Sequence, residues 1–192
     1  MKTKNILLEI FISFALYWVF IAPLYFFPQL KSGPITYYIF LPAGLKLLTI
    51  LIFGWRGLIG VALGTFTRLI FTDPTQSMVS WFLVAFSANL AIYVVVEFGL
   101  KLFKVDRNLS NLNYYQVVGL ATLASILNGS VFAFAVSGLT TSQMSGDLFH
   151  SSFVTIMGNF AGNALFVCTA LFILQHRIKI INFVNRLKAG IK

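Results

Sequence analysis

The chain has 192 residues, of which 58% are hydrophobic and only 10% charged, with a mean hydropathy of +0.88. A soluble domain carries about 25% charged residues, so this composition excludes an ordinary soluble globule. The net charge of +9 (14 basic against 5 acidic residues) does not indicate nucleic-acid binding, because the basic residues gather at the ends of apolar segments instead of forming one aromatic-interleaved face.

A transmembrane helix needs about 20 mostly apolar residues, and on that basis the chain reads as one all-α bundle of about six membrane-spanning helices. The first, 6–27, follows Lys2 and Lys4. It is longer than a signal-peptide core, and Tyr25-Phe26-Phe27 is no small-residue cleavage site, so it is expected to stay as an anchor. Glu9, Ser13 and Tyr17 recur every four residues along it and share a face. The second span, 35–53, contains Pro42 and Lys46. Pro42 lacks a backbone donor and is predicted to kink the helix. Lys46 lies about 10 Å from one end at 1.5 Å per residue, where a charge costs at least about 2.5–3.5 kcal/mol unless it is paired or faces the bundle interior.

After the joint Gly54-Trp55-Arg56-Gly57 comes a short third span, 57–72, in which Gly60 and Gly64 are predicted to permit close helix approach. It ends near Arg68 and Asp73, where Arg68 either neutralises Asp73 or, with Lys46 deeper in, attracts a small anionic ligand. The fourth span, 79–103, carries Asn89, Tyr93 and Glu97 on one face. Glu9 and Glu97 lie at a depth similar to Lys46, and one of them is predicted to be its ion-pair partner. The fifth span, 115–139, adds Thr122, Ser125 and Asn128. The sixth, 151–175, adds Thr155, Asn159 and Asn163, with Gly158 and Gly162 as a second small-residue pair and Cys168 expected in the core. Residues 1–175 are thus the membrane domain. The basic tail 176–192 places Ile180, Val184, Leu187 and Ile191 on one face, as in a surface-lying amphipathic helix or an extension of the last span.

Orientation follows from the basic residues in alternate joints. Lys2, Lys4, Arg56, Lys101, Lys104, Arg107, Arg177, Lys179, Arg186, Lys188 and Lys192 fall on one side, against Lys31 and Arg68 on the other. Both termini are therefore expected in the cytoplasm and the bundle in the cell inner membrane. There is no metalloprotease, nucleophile-elbow or Walker pattern, and His150 and His176 are expected at opposite faces. Neither catalysis nor a cofactor or metal is indicated.

Pro42-Ala43-Gly44 followed by an apolar run, then Gly54, Arg56 and Gly57, then Leu63-Gly64, resemble the first type of the membrane-associated sensor (MASE) domain family, which includes the membrane part of hexose-phosphate sensor kinases. Gly158-Asn159-Phe160-Ala161-Gly162 is similar to that family's late Gly-Asp-x-x-Gly element, with Asn159 in place of the usual acid. The resemblance implies a sensory input module. As the chain lacks an output domain behind its basic tail, it implies signalling through a separate protein partner. A different class is also compatible with six spans and small-residue faces: the substrate-capture subunit of an energy-coupling-factor vitamin transporter. The alanine-spaced first span of that class is missing here, where Ala15 and Ala22 are isolated. A structural or assembly subunit without a ligand is the third reading.

Overall fold

The computed structural model describes residues 2–106, 109–141 and 148–189, with side chains described for 5–106, 109–141 and 148–169. Six α-helices account for most of these residues: α1 (Lys2–Phe26), α2 (Pro42–Phe53), α3 (Trp55–Thr72), α4 (Met78–Leu102), α5 (Tyr114–Leu139) and α6 (Leu148–Ala189). Four stretches are long and apolar enough to cross a membrane, namely Asn5–Phe26, Met78–Leu102, Tyr114–Leu139 and Leu148–Thr169. The chain is thus all-helical and suited to a lipid bilayer. Its outward surface agrees, with Leu7, Phe11, Phe71, Phe82, Val94 and Phe98 all exposed, where a soluble protein would keep such contiguous apolar area covered. Cys168 belongs to this outer surface and not to the core as expected.

The helix ends follow from local chemistry. Asn113 and Gln116 form a reciprocal capping box at the start of α5, with both bonds at 2.9 Å, which satisfies two of the orphan backbone donors there. Ser77 caps α4 by accepting from the Val79 amide. Between α2 and α3 the chain reverses on Gly54 alone, at φ 59°, a left-handed conformation that costs an L-residue about 1–2 kcal/mol. The bundle therefore has a Gly54 end and an opposite end at the 28–41 connection.

The second segment departs from expectation. Instead of a kinked helix over 35–53, only Pro42–Phe53 is helical. Pro42 stands in the first turn of α2, where its missing N–H would be unpaired anyway and its fixed φ suits helix entry. It starts the helix and does not kink it. Before it, Pro28–Leu30 form one 3-10 turn, and the backbone doubles back in a small hairpin. Tyr38 N–H donates to the Leu30 carbonyl at 2.8 Å and Ser32 N–H to the Thr36 carbonyl at 3.0 Å. Ile35, Thr36 and Tyr37 are buried, so irregular backbone enters the bundle.

Gly158 and Gly162 make room for that hairpin. A Cβ at either position would run into the carbonyl oxygens of Tyr37 and Phe40 respectively, and the Phe40 amide donates to the Gly158 carbonyl at 2.9 Å. This pair therefore receives the connecting backbone and not a neighbouring helix. Gly60 and Gly64 do bring two helices together: a Cβ there would collide with Ile10 and Ser13, and with Tyr17, all on α1. Gly44 lies flush against Phe166 of α6. Although α2 is the shortest helix, it packs against each of the other five and forms the central post of the bundle.

Candidate functional site

α2 and α3 run antiparallel from Gly54, and Cα–Cβ bonds tilt toward a helix's own N-terminus. Lys46 on α2 and Arg68 on α3 consequently lean toward each other. Both are buried, with 3% and 2% of their surface exposed. The Lys46 Nζ lies 5.2 Å from the centroid of Phe40 and 5.5 Å from that of Tyr17. The Arg68 guanidinium lies 5.4 Å from the same Phe40 ring and 5.6 Å from Tyr37. Two cations thus share one aromatic ring that the hairpin supplies.

The predicted partner of Lys46 is not there. Glu9 is instead paired with Arg56, at 2.7 Å from Nη1 to Oε2. Arg56 opens α3 at the Gly54 end, and the face of α1 carrying Glu9 packs against α3 through Gly60 and Gly64. Glu97 lies at the same end, in a cleft with Arg56, Lys101 and Lys104. Asp73 does not hold Arg68, since the Asp73 carboxylate accepts from the amide and hydroxyl of Thr75 at 3.2 and 2.6 Å. Asp106 lies in the connection after α4, and Asp147 is outside the described residues. Among the described residues no carboxylate is paired with Lys46 or Arg68. Of the Arg68 nitrogens, Nη2 donates to the Ile35 carbonyl at 3.4 Å, whereas Nε and Nη1 are buried without a partner.

These groups face a cavity of about 30 Å³ walled by Ile35, Thr36, Tyr37, Phe40, Lys46, Thr65, Arg68, Asn128, Phe132, Thr155 and Asn159. Asn128 and Asn159 also border a second void, of about 10 Å³, with Ser125 and Asn163. The amides continue as a polar ladder. Asn159 Nδ2 reaches Asn128 Oδ1 at 3.5 Å, and Asn163 Nδ2 donates to Ser125 Oγ at 2.8 Å. Asn89 stands apart from both voids but donates to Thr65 Oγ1, on the cavity wall, at 3.1 Å.

The sequence-selected residues therefore divide into two groups. Lys46, Arg68, Asn128 and Asn159 meet at the cavity, with Asn163 and Asn89 one contact away. Glu9 and Glu97 belong to the Gly54 end. Sequence reading missed Tyr37 and Phe40, which sit on the hairpin. The signal for them was available, because Pro42 lies inside the expected span 35–53, where a helix either loses a backbone bond or starts at the proline.

The arrangement concentrates hydrogen-bond donors and positive charge around a small space. Compared with protein-family models, curated proteins and solved structures, the chain matches none.

Proposed function

We propose that the chain is a sensory input module of the inner membrane. On this reading it is a multi-pass bundle with six crossings and both termini cytoplasmic, and it reports a small solute held in the Lys46–Arg68 cavity to a separate protein. The observation that carries this reading is the entry of the irregular segment 31–41 into the bundle as a wall of a polar cavity. Non-helical backbone at membrane depth is tolerated where it is buried in protein or lines a cavity, and in membrane proteins broken helices of this kind build solute sites. The charge asymmetry between the ends supports a topology with the hairpin outside and the Gly54 end in the cytoplasm.

A route from the cavity to the cytoplasmic end is built into α2. It carries Lys46 on one side, touches all other helices, and ends at the Gly54 joint beside the Arg56–Glu9 pair. A solute that binds one arrangement of the cavity more tightly than another shifts the population of α2 positions by that difference in affinity. The resemblance to MASE-type sensor domains agrees with such a role.

The hairpin also favours a second reading, that of a solute-capture subunit of an energy-coupling-factor transporter, because it roofs the cavity from the side a nutrient would come from. Tagging the amino terminus, extracting the protein gently from its host's membranes and identifying what co-purifies separates the two. The sensor reading expects a kinase, cyclase or response regulator. Recovery of paired ATPases with a membrane coupling subunit would replace it with the transporter reading.

A further inference from the structure

Resting on the reading of the cavity as a ligand site, we infer that its ligand is a compact oxyanion, a carboxylate or an inorganic oxyanion, gripped between Arg68 and Lys46. The charge inventory comes first. Two buried basic side chains face one space with no carboxylate paired to either among the described residues. A cationic ligand would add a third like charge, and a neutral one would leave both charges unbalanced in a medium of low dielectric. The faces of Tyr17, Tyr37 and Phe40 attract cations, but they leave the Arg68 Nε–H and Nη1–H without acceptors.

The hydrogen-bond inventory narrows the class. Arg68 offers charge-assisted donors: its unpartnered Nε–H and Nη1–H lie on different edges of the guanidinium plane, and each can give a hydrogen bond to an oxyanion oxygen. Lys46 supplies a mobile point charge on the facing wall. Size sets the last limit: a cavity of about 30 Å³ is above the roughly 10–15 Å³ that one water needs, so it admits a group of only a few atoms. Arg68, with two free donors, dominates recognition, and Lys46 contributes charge.

The test is thermal unfolding of the purified full chain in detergent, titrated with sodium formate, acetate, phosphate, sulfate or chloride at matched ionic strength. At least one oxyanion is expected to raise the midpoint saturably, while chloride does not. A response to formate or acetate assigns a carboxylate; a response to phosphate or sulfate assigns a tetrahedral oxyanion. Arg68→Gln is expected to weaken the apparent affinity about tenfold or more, as loss of charged hydrogen bonds does, and Arg68→Lys is not expected to restore it. Should the Arg68 variants fail to fold, Lys46→Met gives the same reading from the opposite wall, with a weakened response expected. The inference is overturned if no oxyanion acts saturably, if chloride acts equally, or if the folded variants respond like the parent. The sensor reading fails separately: oxyanion binding with transporter ATPases as partners removes the relay and keeps the ligand class, whereas a signalling partner without any oxyanion response does the reverse.

Discussion

Lys46 is an ammonium buried to 3% exposure with aromatic faces for company. Cation–π contacts are worth about 0.5–2 kcal/mol, less than the several kcal/mol it costs to bury an ion. In the absence of a bound anion, Lys46→Met should therefore raise the midpoint of thermal unfolding. A lysine in a buried ion pair would behave in the opposite way, since breaking such a pair loses about 3–5 kcal/mol. Glu9→Gln tests the pair that does form. Arg56 and Glu9 are 34% and 23% exposed, so the expected loss is at most about 1 kcal/mol in the same measurement. Which cation would meet which carboxylate was not legible in the sequence. Depth along a helix can be counted, and it placed Lys46, Glu9 and Glu97 at similar levels. The rotation of each helix about its axis is set by Gly60 and Gly64 against α1, and it turned Glu9 toward Arg56.

The hairpin 31–41 and the glycines that seat it are the most informative element. Gly162→Ala would push a methyl group into the Phe40 carbonyl, and the overpacking is expected to cost about 1–3 kcal/mol. Faster proteolysis or hydrogen exchange over 31–41 in that variant would register the loosened seat, and parental protection would show that the seat tolerates a side chain. Gly54→Ala acts at the other joint. The φ of 59° there predicts a loss of about 1–2 kcal/mol in thermal unfolding, although nothing lies close enough to clash. α1, α3, α4 and α5 lie within a few residues of where apolar length and turn residues put them, and α6 starts near its expected place but continues to Ala189, the extension of the last span that the tail allowed. The second helix departs from its expected place, because hydropathy measures partition into an apolar medium and not backbone shape. Ile35 and Tyr37 are buried and Phe40 is half-buried, yet none of them is helical. Pro42 carried the correct information, since a helix start and a helix kink are the two things proline permits, and only the neighbouring chain decides between them.

For the whole molecule, the proposed relay joins the Lys46–Arg68 cavity near the hairpin to the opposite end, bearing Gly54, Arg56 and Glu9, through a central helix that contacts every other. A ligand present at 100 times its dissociation constant stabilises the bound arrangement by about 2.7 kcal/mol. That is enough to move an equilibrium between two positions of α2 only if the ligand distinguishes them. The decisive measurement is hydrogen–deuterium exchange of the parent and of Arg68→Gln, with and without the oxyanion that raises the unfolding midpoint. The predicted result is ligand-dependent change in two places, at 31–41 and at 50–58 around the Gly54 joint, with both changes absent from the variant. Change confined to 31–41, or found in neither segment, would contradict a relay from the cavity to the Gly54 end.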